Sequence, residues 1–198
     1  AIVGGPDTRR SGDMFGAAIT SGATSLGGDV HRLGVVPTPA LAHLARIGAF
    51  DAGIMVSASH NPADDNGLKV LDSAGLKLDD AVEEELEALI WRSEEIGAPG
   101  NARLGRAIDA AGLLDRYREH RLGLAGTIAT DLRIVLDCAN GSGGVVAPEI
   151  LAATGATVEV IHNDPDGVNI NLGCGATAPA SLAAAVAARG ADVGFALD

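Results

Sequence analysis

The chain has 198 residues, of which 47% are apolar and 3% aromatic, and its 14 basic and 26 acidic side chains leave a formal net charge of −12. That length supports a core of one or two domains, and the acidic balance argues against a nucleic-acid partner, whose phosphates need clustered Lys and Arg. No uncharged apolar stretch is long enough to span a bilayer and no signal segment opens the chain, so no membrane partner is expected.

Ala1-Ile2-Val3 reads as a strand, with Gly4-Gly5-Pro6-Asp7 turning out of it. Ser11 is placed to cap a helix reaching about Leu26, with Asp13 in its first turn favouring the dipole. A second strand is expected over Val30–Val36. Thr38 and Pro39 then read as the N-cap and first residue of a helix that turns Leu41, Leu44, Ala45 and Ile47 inward and ends near Gly48. Ala52–Val56 is an apolar run of strand length, followed by a polar loop over residues 57–67. Leu68–Leu71 resumes as a strand, with Leu76-Lys77-Leu78 a short partner beyond the turn at Asp72–Gly75. Asp79 or Asp80 opens an amphipathic helix with Val82, Leu86, Leu89 and Ile90 on one face, and Glu83-Glu84-Glu85 reads as its solvated side.

Residues 97–107, with Gly97, Pro99, Gly100 and Gly105, form the clearest loop. A helix is expected from about Ala110 to Leu122, and residues 123–130 read as an interdomain connection. Leu132–Leu136 is a strand, Asp137–Gly144 a turn, and Val145–Thr154 a helix closed by Gly155. Val158–Ile161 is a strand, followed by a long polar loop, His162–Thr177, and a helix from Pro179 to Arg189. Asp192–Leu197 is the last strand. The alternation predicts an α/β protein with two α/β/α domains and mixed, mostly parallel sheets. The domains are expected over residues 1–126 and 127–198, the second incomplete.

The loop at 57–67 is the most informative stretch. Ligands of open α/β sheets bind at the carboxyl edge of the strands, and this loop leaves such an edge with a hydroxyl (Ser59), an imidazole (His60), an amide (Asn61) and, just beyond, an ammonium (Lys69). Ser59 does not lie in a G-x-S-x-G elbow, since Ser57 and Asn61 occupy the glycine positions, so an acyl-transfer triad is disfavoured. A serine that carries a phosphoryl group needs positioning, charge neutralisation and a proton shuttle instead. Lys69 is the candidate shuttle. His60 either orients the loop or shares the proton work, or is bonded to backbone. Arg9 and Arg10, near a helix N-terminus, are candidate phosphate ligands, with Asn61 a third candidate on the loop; a salt bridge between Arg9 and Asp7 is the plainer alternative. Asp198, at the end of an apolar strand, is a candidate ligand for a hard cation, Mg²⁺ preferred. The turn Asn140–Gly144 lacks the third glycine of a dinucleotide fingerprint and the lysine of a P-loop, and reads as a helix entry first and a phosphate contact second. The two cysteines, Cys138 and Cys174, fit neither a disulfide framework nor a zinc pattern, so a reduced, cytoplasmic location is expected.

Taken together, Asp7-Thr8-Arg9-Arg10-Ser11-Gly12, Pro37-Thr38-Pro39, Ser57-Ala58-Ser59-His60-Asn61-Pro62, Asp65-Asn66-Gly67-Leu68-Lys69, Asp137-Cys138-Ala139-Asn140-Gly141 and Pro165–Asn171 with Cys174–Thr177 resemble the α-D-phosphohexomutase superfamily. The Ser-Ala-Ser-His start and the Asn169–Gly175 segment are most similar to its bacterial phosphoglucosamine mutases. The resemblance implies that Ser59 is a phosphoserine that also ligates Mg²⁺, that Lys69 is a general acid/base with His60 as loop partner, and that Asp198 is the first of three metal-binding aspartates. It implies interconversion of glucosamine 6-phosphate and glucosamine 1-phosphate, with glucosamine 1,6-bisphosphate or glucose 1,6-bisphosphate as activator. It also implies a preceding segment and further C-terminal domains, so negligible turnover is expected of the chain as given. A phosphomannomutase/phosphoglucomutase of the sister branch, a nucleotide-binding Rossmann-like domain and a non-catalytic fragment are the alternatives.

Overall fold

A computed structural model describes residues 1–92, 96–97, 100–126 and 131–198. Within them the chain forms two sheets. The first holds β1 (Ile2–Pro6), β2 (Val30–Arg32), β3 (Ala52–Val56), β4 (Leu68–Leu71) and β5 (Ala107–Asp109), in the spatial order β4-β3-β1-β2-β5. All its pairings are parallel except β3 with β4, where Met55 faces Lys69 and Val56 faces Leu68. The second sheet is parallel and runs β7 (Thr157–Ile161), β6 (Arg133–Asp137), β8 (Val193–Ala196). Both are sheets of the expected mixed, mostly parallel α/β kind.

The connections explain where loops gather. From β1 the chain passes through α1 (Ser11–Ser25) to β2 on one side, then through α2 (Thr38–Ile47) back across to β3 on the other. From β6 it passes through α5 (Ala147–Ala152) to β7, then through α6 (Ala180–Arg189) to β8 on the opposite side. Each central strand is therefore a switch point, where the two loops beside it diverge and open a crevice.

Side-chain alternation sends the two crossover helices of the first sheet to opposite faces. Gly53 abuts Leu41 and Ala45 of α2, and Met55 joins Val3, Leu33, Val36, Ala40, Leu44, Phe50 and Leu71 in a dense core. Leu114 and Tyr117 of α4 (Leu114–Leu124) close that core, and Val146 from the second sheet's side joins it. Ile54 and Val56 point the other way, into an apolar groove of about 560 Å³ shared with Gly12, Gly16 and Thr20 of α1. No described helix is long and apolar enough to cross a membrane.

Several local expectations are corrected. Gly4, Gly5 and Pro6 belong to β1 and pair with Ile54, Met55 and Val56; the glycines serve close approach, since a Cβ at Gly5 would sit 2.5 Å from the Gly34 carbonyl oxygen and 2.6 Å from Val36 Cγ1. β2 stops at Arg32, although Leu33 and Val36 remain buried. Arg10 and Pro37, not Ser11 and Thr38, stand at the N-caps of α1 and α2, and Ile47 faces outward. Among the described residues nothing covers the apolar stripe of α3 (Asp80–Trp91), with Leu86 at 38% and Ile90 at 68% exposure. β5 was not expected; it adds to the edge of β2 in residues read as loop. Of the two loops read at 97–107 and 123–130, residues 98–99 and 127–130 lie outside the described residues.

The packing at Gly5 makes a pair of opposite expectations. Gly5→Ala forces a methyl group against backbone and is expected to lower stability by about 1–3 kcal/mol. Gly16→Ala, in mid-helix with nothing within 4 Å of its added Cβ, is expected to raise it by about 0.5–1 kcal/mol. Urea unfolding of the two variants measures both signs.

Candidate active site

The crevices of the two sheets face each other across a pocket of about 310 Å³, lined on one side by Asp7, Thr38, Ser57, Ser59 and Lys69 and on the other by Ser142, Asn171 and Asp198. The loop after β3 supplies its central hydroxyl. Ser57 is buried, donates its backbone N–H to Gly67 O (2.9 Å) and accepts the Ser59 N–H on its own hydroxyl (3.1 Å). These bonds pinch the loop so that Ser59 adopts φ +54°, a left-handed conformation unusual for serine. Asn66 closes the far side by donating to Ser11 Oγ at 2.8 Å, which gives Ser11 a role other than capping.

Arg9 holds this loop from beneath. Its guanidinium is buried and ion-paired with Asp7, also buried. Its Nη2 donates to Ser59 O at 3.0 Å and to Asn61 O at 2.6 Å. The Asp7 carboxylate also accepts the Arg9 N–H at 2.9 Å. The plainer alternative from the sequence thus describes Arg9, whose charge is committed to the loop rather than turned to the pocket. Arg10 sits outside the pocket as well: its backbone N–H donates to Gly167 O at 2.9 Å and its Nη2 to Asp166 O at 3.4 Å. Asn61 turns its amide to Asp65 at 3.1 Å and offers only its carbonyl toward the site.

The second sheet meets the loop from β8. Ser59 Oγ donates to Asp198 Oδ1 at 2.7 Å, and His60 Nδ1 lies 3.7 Å from the other carboxylate oxygen. Lys69 faces the same pocket from β4. The structure therefore brings Ser59, Lys69 and Asp198 around one pocket with His60 at its edge, and uses Arg9, Arg10 and Asn61 to fasten its walls. Gly141, Ser142 and Gly143 line the pocket while entering a 3₁₀ turn at Ser142–Val145, which is the helix-entry role expected of that segment.

Two contacts between the sheets were not anticipated. Asn171 crosses from the second sheet's side and donates to Ser59 O and Asn61 O, both at 3.0 Å. Thr8 Oγ1 donates to Asn140 O at 2.6 Å, a second tie between the sheets. The available signal for Asn171 was the residue type itself, since Asn tolerates left-handed turns and recurs in Asn169-Ile170-Asn171.

Hard-cation donors are present where Ser59 Oγ meets the Asp198 carboxylate. A second set, Asp137, His162 and Cys174, places one ligand atom each within 4.8 Å of the others. There Asp137 is fully buried, and its two oxygens accept the Ala139 and Gly175 N–H groups at 2.9 Å each. That carboxylate knots the loops behind the pocket. Burial, reinforced by Asp137, pushes the Cys138 thiol up to about 11 and raises that of Cys174.

Comparison with known proteins adds the following. Residues 1–97 match the family described as phosphoglucomutase/phosphomannomutase, alpha/beta/alpha domain I. The chain is 48% identical to a phosphoglucosamine mutase of Moorella thermoacetica over 198 residues, covering 100% of this chain and 45% of that protein. It is 47% identical to a phosphoglucosamine mutase of Mycolicibacterium gilvum over 199 residues, 44% of that protein. A crystal structure of a phosphoglucomutase/phosphomannomutase family protein from Burkholderia thailandensis superposes with a TM-score of 0.81 at 28% identity, over 98% of this chain and 43% of the other. The chain thus spans less than half the length of the curated relatives it matches.

Arg9→Met leaves the Asp7 carboxylate buried and unpaired, and is expected to cost about 3–5 kcal/mol in urea unfolding; a loss below about 1 kcal/mol contradicts the pairing. The Cys138 thiol is expected to react at pH 8 at least about a hundredfold more slowly in the native protein than in denaturant, and the Cys174 thiol to be slowed in the same direction. Folding keeps the Cys138 proton that the unfolded chain releases near pH 9, so stability is expected to fall as pH rises from about 9 toward about 11; thiol titration and unfolding at graded pH check both.

Proposed function

Because the chain belongs to the phosphohexomutase superfamily, we propose that its pocket is part of a phosphoglucosamine mutase site in which Ser59 carries the phosphoryl group. The observation that carries this reading is the meeting of Ser59 Oγ with Asp198 at 2.7 Å on the facing carboxyl edges of two sheets. The relatives named phosphoglucosamine mutase, at 48% and 47% identity, support the choice of sugar phosphate.

In the proposed reaction a phosphoryl group on Ser59 passes to a hydroxyl of glucosamine 6-phosphate or glucosamine 1-phosphate. The P–O bond to Ser59 breaks, a P–O bond to the sugar forms, and the sugar hydroxyl gives up its proton. The 1,6-bisphosphate so made returns its other phosphoryl group to Ser59 Oγ, which loses its own proton in turn. Lys69 is the residue proposed to take and return those protons, and His60 steadies the Asp198 side of the loop. Arg9 and Asn61 act through the loop, fixing Ser59 at the pocket. The facing oxygens of Ser59 and Asp198 suit Mg²⁺, which when bound supplies positive charge against the phosphoryl oxygens. Glucosamine 1,6-bisphosphate or glucose 1,6-bisphosphate would charge a bare Ser59.

The test is peptide mass spectrometry of the protein purified from cells at its native length, together with turnover of glucosamine phosphates. Phosphate is expected on the peptide holding Ser59. Ser59→Ala is expected to remove it and to lower turnover at least about a thousandfold, and Lys69→Met to lower turnover about 10²- to 10⁴-fold with the phosphate still present. A phosphate-free Ser59 in active protein, or full activity of Ser59→Ala, overturns the assignment.

A further inference from the structure

Asn171 reaches the serine loop from the opposite sheet, and its own placement is fixed. Its backbone N–H donates to Ala139 O at 2.9 Å, its φ is +60°, and the preceding Ile170 is buried. From that base the side-chain nitrogen faces Ser59 O and Asn61 O, each at 3.0 Å. A carboxamide nitrogen carries two hydrogens, one for each carbonyl. The opposite flip would set the amide oxygen against both, so the orientation follows from the network. Arg9 Nη2 donates to the same two carbonyls from beneath. The backbone on either side of His60 is thus gripped from both sheets, around a Ser59 whose left-handed φ of +54° few side chains adopt unaided.

We propose that Asn171 is a positioning residue for phosphoryl transfer. It fixes the direction of Ser59 Oγ by clamping the serine loop to the second sheet, so that the hydroxyl is aligned only while the two sheets are held together. The proposal rests on the reading of Ser59 as the phosphoryl carrier. Arg9, with Asn66 through Ser11, holds the loop to its own sheet. Asn171 adds the dependence on the other sheet, which also carries Asp198. Asn171 faces the pocket too, yet its donors are spent on the loop, so its loss should slow transfer more than it weakens sugar binding.

Two variants separate the clamp from backbone effects. Asn171→Asp keeps shape and tolerance of the left-handed turn but presents oxygen to both carbonyls. Asn171→Gly keeps the turn and removes the side chain. Hydrogen exchange of the amides in residues 57–67 is followed in the native-length protein, with β6 amides as the control for folding. Phosphate uptake by Ser59 from glucose 1,6-bisphosphate with Mg²⁺ is followed as rate against concentration. Both variants are expected to exchange about tenfold faster in the loop with β6 unchanged. The maximal rate of uptake is expected to fall about ten- to a hundredfold, with half-saturation within about twofold of the parent. Wild-type loop exchange in both variants overturns the clamp. Faster loop exchange with an unchanged maximal rate overturns its role in transfer. If the parent protein takes up no phosphate, the reading of Ser59 fails by itself, and the exchange of the loop still decides whether Asn171 holds it.

Discussion

The buried pair of Asp7 and Arg9 is the interaction on which the pocket depends. An arginine with no exposed charge needs a carboxylate and further acceptors, or its desolvation goes uncompensated. Asp7 meets Nη1, and Ser59 O, Asn61 O and, at 3.5 Å, Pro62 O meet Nη2, while Nε has no hydrogen-bond partner among the described residues. The planar fork matches those acceptors where a lysine could not. One guanidinium therefore couples the loop after β1 to the loop after β3, the two that flank the switch point of the first sheet. Ser59 is held where it is by a charge that never reaches the pocket.

The electrostatics of the pocket run against those of its expected ligand. A chain of net charge −12 repels a sugar phosphate at long range, and Asp198 adds a carboxylate at the center of the site. The compensation is local. Lys69 faces the pocket, the glycine-rich turn at Gly141–Gly143 lines the opposite wall, and the oxygen pair at Ser59 and Asp198 suits a divalent cation. Arg9 cancels Asp7 and leaves those groups to set the field. Under the proposed function, this arrangement would suit a phosphate accompanied by a cation better than a bare anion.

Where the sequence was legible, local pattern and tertiary burial agreed. The apolar runs at Ala52–Val56 and Leu68–Leu71 are strands with the expected limits, and the helices around Leu41–Leu44 and Leu182 lie where their periodicity placed them. Where it was not, the cause lies outside the segment. Gly4 and Gly5 carry a turn signal by type, but long-range pairing with β3 overrides it. The stripe of α3 is amphipathic by spacing, yet among the described residues nothing covers it. Three-residue β5 is too short to show a period and exists because β2 offers an edge. At the site, Ser59, Lys69 and Asp198, which line the pocket, were legible from residue type and strand position, whereas their partners were not. Whether Arg9 faces a phosphate or a carbonyl is decided by residues 50 and more positions away, and Asn171 reaches Ser59 across 112 positions of sequence.

That distance bears on how the loop works. Asp198 and Asn171 come from the second sheet and Arg9 and Lys69 from the first, so the surroundings of Ser59 are assembled by the contact between sheets rather than within either. The hydroxyl proton of Ser59 is given to Asp198. Esterification of that oxygen would remove the proton and set phosphate charge against the carboxylate, so that this contact between the sheets would need a divalent cation to offset the like charges. Asn171 and Thr8 tie the sheets through neutral bonds to backbone carbonyls, which a change of charge on Ser59 leaves in place. The two kinds of tie divide the work. The Ser59–Asp198 contact would respond to a phosphoryl group on the serine, whereas the carbonyl clamps would hold the loop in the same register with or without one.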